Sequence, residues 1–296
     1  HERTWDADVC SLHGTPHDYW VRRVRGKKFP SLHDRALIAA ERRMMCSERR
    51  QVLLPVSSLV ESLYEDAFDL RGKTSRVLPP GVDPVPFSAD RRERARREIR
   101  ARHGIRPDEF VVLFVGMNWK HKGLFELINA VSRAKRSDPA ARLLVVGKGS
   151  SREASRFAQQ HGVADAMRFA GMVREGVATD GVAEYCLASD CLALPSRFET
   201  FGMVILEAMA AGLPVIATQQ VGARDLIRPG VNGFLLDSHG DLNGLTNALL
   251  ALSDPNRRSV MQEDARRVAA RFTWDRHVEE LKSVYRETLS AGRRAA

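Results

Sequence analysis

The sequence predicts an α/β protein with one complete doubly wound parallel domain, preceded by an incomplete Rossmann-like portion. Three observations carry this. From Phe110 onward, short apolar runs rich in β-branched residues alternate with amphipathic stretches. Those runs are almost continuously apolar, which suits strands covered by helices on both faces rather than strands with one wet face. Only two strand-like runs precede residue 108, too few for a full sheet. A chain of 296 residues with 44% hydrophobic content has room for two ordinary domains.

Taken in order, DADVCSL (6–12) and QVLLPVS (51–57) read as strands, with a basic helical stretch at about residues 32–50 between them. LPPGVDPVP (78–86) holds four prolines and a glycine. Proline restricts itself and its predecessor to extended conformations, so this stretch reads as a linker. The strands that follow are FVVLFVG (110–116), ARLLVVG (141–147), MRFAG (167–171), DCLAL (190–194), PVIAT (214–218) and NGFLLD (232–237). Helices are expected at about residues 123–135 and 151–161, and from about Pro255 to the end, where Trp274, Val278, Leu281 and Tyr285 keep helical spacing. The expected division is a partial N-terminal domain over 1–83, a linker and basic helix over 84–107, a complete doubly wound domain over 108–272 and a terminal helix over 273–296.

Several function classes are excluded. The longest apolar candidate, residues 203–217, is interrupted by Glu207, Gly212 and Pro214, so no transmembrane helix is expected. The chain begins at His1 with no leader-like start, which points to further sequence upstream. Cys10, Cys46, Cys186 and Cys191 form no CxxC pair and no metal-ligand spacing, so reduced thiols in a cytoplasmic compartment are expected.

The formal charge is +9, and seven of those charges fall before residue 108. Residues 91–102 read as a solvated helix face whose glutamates pair with arginines three and four positions away. The run at 22–28, with Arg22, Arg23, Arg25, Lys27 and Lys28, lacks that compensation. It is expected to meet an anionic acceptor or an anionic membrane surface, and nucleic acid is not an expected partner.

The informative stretch is SRFETFGMVILEAMAAGLPVIAT (196–218). Phe201, Gly202 and Met203 open a helix directly after a strand and loop. The unpaired amides and positive end of a helix start form a site for an anion or hydroxyl. Glu207 lies five residues beyond Gly202, about 7.5 Å farther along the axis. It sits inside an apolar run, where a carboxylate needs a partner. A ribose diol donating two hydroxyls is one such partner, with Glu199 then facing the sugar; an arginine salt bridge is the other.

This stretch resembles the E-x7-E region of the retaining glycosyl transferases group 1 family, which have two Rossmann-like domains in the GT-B arrangement. Glu199 and Glu207 stand at the two glutamate positions. The resemblance continues through PPGVDP (79–84), VGKGS (146–150), RFAGMV (168–173), PGVNGFLL (229–236) and FTWDRHVEEL (272–281), about three quarters of the chain. It implies that Glu199 bonds hexose hydroxyls, that the amides of Phe201, Gly202 and Met203 hold hexose and phosphate oxygens, and that Glu207 binds ribose. It further implies that Met172 and Val173 meet the base. Lys122, in GMNWKHKG (116–123), stands where the family places a diphosphate-binding lysine, suited to charge on the leaving group. Met117 occupies the place of the usual arginine, with Lys120 and His121 as candidate substitutes. Asp225, in VGARDLI (221–227), replaces the usual glutamate. GKG (147–149) lacks the third glycine of a dinucleotide fingerprint and is weak evidence for NAD.

His13 resembles the family's active-site histidine that contacts the transferred sugar, while His17 and Asp18 are lesser candidates. The overall organisation looks most like the lipopolysaccharide-core glucosyltransferase branch, which is metal-independent and membrane-peripheral. The expected function is therefore retaining, metal-free hexose transfer from a UDP-glucose-like donor to a saccharide, lipopolysaccharide-core or glycolipid acceptor, with no cofactor. A non-catalytic nucleotide-sugar-binding or scaffold protein is the alternative. A nucleotide-sugar epimerase and an NAD dehydrogenase fit the E-x7-E stretch less well.

Overall fold

The structure, a computed structural model, describes residues 7–47, 50–83, 89–137, 140–173 and 181–295. It forms two compact units, one of His1–Gly81 with Trp274–Ala296 and the other Val82–Thr273. Within the proline-rich stretch, residues 84–86 lie outside the described residues, as do the next two positions.

The larger unit is built on strands β4 (Phe110–Val115), β5 (Ala141–Val146), β6 (Met167–Gly171), β7 (Cys191–Leu194), β8 (Val215–Thr218) and β9 (Gly233–Leu236). Their order is β6-β5-β4-β7-β8-β9, and every pair is parallel. Strands β7 and β8 are buried throughout and β4 is buried from Phe110 to Phe114, as their continuous apolar character requires. The chain moves outward from β4 through β5 to β6, then crosses back to β7 on the other side. That reversal leaves a crevice between the carboxyl ends of β4 and β7, where open α/β sheets bind ligands.

Helix α4 (Ala89–Arg102) departs from its reading as a solvated face. Arg91 pairs with Glu184, and Arg92 donates to the Ala211 carbonyl at 2.8 Å. Arg96 and Arg100 reach Asp190 at 3.0 and 2.8 Å. Arg100 is buried and also donates to the carbonyls of Ala188, Pro107 and Glu109. Spacing of four puts Arg92, Arg96 and Arg100 on one inward stripe with Arg91 beside it, so their partners come from elsewhere in the unit rather than from the helix's own glutamates.

The smaller unit carries β1 (Val9–Leu12), β2 (Val52–Pro55) and β3 (Thr74–Ser75), in the order β1-β2-β3 and all parallel. Helix α2 (Leu32–Met45) begins with a capping box in which Ser31 and Asp34 bond reciprocally. Helix α3 (Ser58–Ala67) was not anticipated from sequence. Helix α11 (Trp274–Ala295) returns to this unit, where Val284 and the partly buried Leu281 pack against Leu54 and Leu78. Its expected apolar stripe is rotated: Trp274, Val278 and Tyr285 are exposed, and Leu281 with Val284 forms the packed side.

The run at 22–28 is more compensated than its sequence implied. Arg22 pairs with Asp18 at 2.7 Å, and Arg25 and Lys27 lie 3.7 and 3.6 Å from the buried Asp34. Arg23 and Lys28 are exposed. All four cysteines are free thiols, and no helix among the described residues is long and apolar enough to cross a membrane.

Candidate functional site

Two loops meet at the crevice. The first joins β4 to α5 (Leu124–Ala134) and is folded tightly on itself. Asn118, in a left-handed conformation at φ 53°, accepts the amides of His121 and Lys122, and Trp119 Nε1 donates to the Gly116 carbonyl at 3.0 Å. A Cβ at Gly116 would collide with the aliphatic stem of Lys122, so the glycine lets that side chain lie across the strand end. Gly123, at φ 81°, starts α5 so close to the Pro195 carbonyl that no side chain fits.

The second loop joins β7 to α8 (Met203–Ala210). Arg197 donates its amide to the His121 carbonyl at 2.9 Å, and the His121 ring lies 3.0 Å from the Phe198 carbonyl. Thr218, at the end of β8, donates its hydroxyl to the Ser196 carbonyl at 2.8 Å. The Glu199 backbone is held at both ends, its amide by the Gln220 carbonyl and its carbonyl by the Gly222 amide, each at 3.0 Å.

These bonds bring together side chains 77 positions apart. Lys122 Nζ lies 2.9 Å from Glu199 Oε1, which also receives a long contact of 3.4 Å from the Ser196 hydroxyl. Gly202 caps α8 at φ 92°, where a Cβ would come within 3.0 Å of Val221. No side chain caps this helix start, so geometry leaves the Met203 and Val204 amides without intrahelical acceptors. Phe201 is buried, its carbonyl accepting the Ala223 amide at 2.8 Å. Glu207 is half-buried on α8; burial first and the Glu207 charge second push the Cys186 thiol well above its ordinary pKa.

Lys122, Glu199, Phe201, Gly202, Met203 and Glu207 thus share the two switch-point segments. Met172 and Val173 follow the edge strand β6, at the same carboxyl edge but two strands from β4, and Met172 is exposed. The candidate substitutes for the missing arginine are occupied elsewhere: Lys120 pairs with Glu153 at 2.7 Å, and the His121 ring braces the Phe198 carbonyl. Asp225 lies on a short 3-10 turn beside Arg224. The GKG segment is a packing feature, because a side chain at Gly149 would strike the Trp119 ring and one at Gly147 the Gly116 carbonyl.

In the smaller unit, His13 follows β1 and is exposed. Partial burial of its ring, and then the neighbouring His277, hold its pKa below the ordinary histidine value. His277, unnoticed in the sequence, has its Nδ1 2.8 Å from the Pro79 carbonyl. The lesser candidates have structural partners: His17 Nε2 lies 3.2 Å from Asp34, and Asp18 pairs with Arg22. Among the described residues no group of three His, Cys, Asp or Glu side chains is placed to hold a metal ion.

The sequence profile of the family described as Glycosyl transferases group 1 matches residues 95–268. The D-inositol 3-phosphate glycosyltransferase of Geodermatophilus obscurus is 35% identical over 83% of this chain and 56% of its own length. The protein of the same name from Acidothermus cellulolyticus is 36% identical over 75% of this chain and 50% of its own. The chain therefore spans about half the length of these curated relatives. Among solved structures, WaaG, described as a glycosyltransferase involved in lipopolysaccharide biosynthesis, aligns with a TM-score of 0.76 at 24% identity, covering 94% of this chain and 74% of that one. Sucrose-phosphate synthase from Thermosynechococcus elongatus aligns at 0.74 and 25% identity, over 96% and 68% of the two chains. The switch-point loops, the two parallel sheets and the matched profile agree, and the chain belongs to the glycosyl transferases group 1 family, with the GT-B fold.

Proposed function

We propose that the larger unit binds a nucleotide diphosphate sugar and that the protein transfers its hexose, with retention and without a metal, to an anionic hydroxylated acceptor. The observation that carries this reading is the meeting of Lys122, Glu199 and the uncapped start of α8 at one switch point. A cation and a helix start stabilise the charge that develops on a leaving diphosphate. Glu199 would accept hydroxyls of the hexose, Glu207 the ribose diol, and Met172 with Val173 would meet the base. His13 would contact the transferred sugar near its anomeric carbon.

Same-face displacement assisted by the leaving diphosphate suits this site better than a covalent intermediate. UDP-glucose is the donor favoured. The acceptor class has two versions, a lipopolysaccharide-core saccharide or other glycolipid, and a phosphorylated cyclitol; the names of the curated relatives favour the second. Both carry a hydroxyl to be glycosylated beside negative charge, and Arg23 and Lys28 are exposed to meet it or an anionic membrane surface. We place the protein in the cytoplasm, at the inner face of the membrane when its acceptor is a lipid.

The test is transfer from a panel of nucleotide-sugars in the presence of a chelator, with product configuration read by NMR and Glu207→Ala as the control. Retained configuration is expected, and the variant should lose affinity for nucleoside diphosphate and for nucleotide-sugar by about the same factor. Inversion, or activity restored only by magnesium or manganese, would overturn the mechanism, and unchanged nucleotide affinity in the variant would remove the ribose assignment.

A further inference from the structure

Lys122 and Glu199 are partners before either has met a substrate group. Their side chains are 22% and 19% exposed, so the pair is partly shielded from solvent. The Lys122 stem lies across Gly116, and the Glu199 backbone is pinned between Gln220 and Gly222. A diphosphate approaching Lys122 therefore meets an ammonium already neutralised by a carboxylate, and brings more negative charge toward that carboxylate.

We propose that Glu199, by competing for Lys122, makes the site discriminate against a bare nucleoside diphosphate and in favour of a nucleotide-sugar. This rests on the donor-site reading given above. When the hexose is present, its hydroxyls donate to Glu199 and replace the ammonium that turns to the diphosphate, so both partners of the ion pair are exchanged and neither is left unpaired. When the hexose is absent, Lys122 must be shared between two anions, and the carboxylate repels the phosphate. The same residue that recognises the sugar thus weakens the hold on the product once the sugar has left. The partial exposure of the pair keeps the expected effect modest.

The experiment is calorimetric titration of the chain with uridine, guanosine and adenosine diphosphates and with their glucose esters. Four proteins are compared: the parent, Glu199→Gln, Lys122→Met and the double variant. Glutamine keeps the shape and the ability to accept from Ser196 and Lys122 while removing the charge. Glu199→Gln is expected to bind the preferred nucleoside diphosphate about two- to fivefold more tightly than the parent, the order expected for one partly exposed ion pair. It should bind the corresponding glucose ester no more tightly. The gain should shrink with added salt and vanish in the Lys122→Met background. If Glu199→Gln leaves diphosphate affinity unchanged or lowers it while Lys122→Met weakens it, the competition is wrong and the donor site stands. If Lys122→Met itself has no effect on diphosphate affinity, the donor-site reading fails and this inference with it. Glu199→Ala serves as the second charge-removing variant should Glu199→Gln fold poorly, with the same expected direction.

Discussion

The two basic segments of the chain look alike by charge and differ in what the fold does with them. Helix α4 turns a stripe of arginines inward upon Asp190, which is 3% exposed on its side chain and also accepts the Val111 amide at 2.8 Å. Burial alone would raise the Asp190 pKa, but Arg96, Arg100 and Arg258 together bring it below the ordinary value. The segment at 22–28 also faces a buried aspartate, Asp34, which Arg25, Lys27 and the His17 ring approach, but Arg25 and Lys27 themselves stay largely at the surface. The first arrangement fastens a helix to the β4 and β7 region. The second leaves Arg23 and Lys28 exposed. A count of lysines and arginines cannot tell a buried fastening from an exposed basic surface, because the distinction is made by which carboxylates the tertiary fold delivers.

The largest expected effect comes from breaking the α4 anchor. Asp190→Asn leaves Arg96, Arg100 and Arg258 without their shared charge and should cost about 3–5 kcal/mol, as breaking buried ion pairs does. Denaturant unfolding measures it, and a loss below about 1 kcal/mol would reduce the cluster to a surface-like network.

Asp34→Asn should have a smaller effect with a distinct pH signature. The side-chain hydroxyl and the amide of Ser31 hold the Asp34 carboxyl well below the usual carboxylate range. A depressed folded-state pKa contributes stability in full above the ordinary carboxylate value, and that contribution is lost as pH falls through the folded value. The stability difference between parent and variant should therefore be greatest near neutral pH and narrow in strong acid. A difference that is constant across that titration would mean that Asp34 acts by its shape and not its charge.

The smallest effect on stability is expected where the charge is most exposed. Replacing Arg23 and Lys28 with glutamine should scarcely move the unfolding midpoint, yet it should reduce association with anionic lipid vesicles, most clearly at low ionic strength. Equal vesicle binding at low salt would make the run an ordinary solvated surface and leave the acceptor to be recognised elsewhere.

Much of the fold was legible because it rests on local pattern. All six strands of the larger unit stand where the apolar runs placed them, and α5 and α6 (Ser151–Gln160) match their expected positions closely. The α8 start was readable for the same reason, since Gly202 follows a strand and loop and precedes an apolar helix. The Lys122–Glu199 pair is not readable in the sequence, although each residue stands out by itself. Its two members come from different loops, and their meeting depends on β4 and β7 being neighbours across the crossover. His277 was equally hidden, because nothing near it in sequence announces the Pro79 carbonyl or His13.

What the sequence determined by itself is the set of elements and the candidate chemistry: apolar runs of strand length, helices of amphipathic period, and the E-x7-E stretch with its lysine upstream. Only the tertiary structure decided which charges are fastenings, which face of α11 is packed, and that the cation and the carboxylate at the switch point are already joined. The physical reason is range. Periodicity and glycine conformation act over a few residues, whereas the partner of a half-buried charge is whatever side chain or backbone group the folded chain brings within about 4 Å.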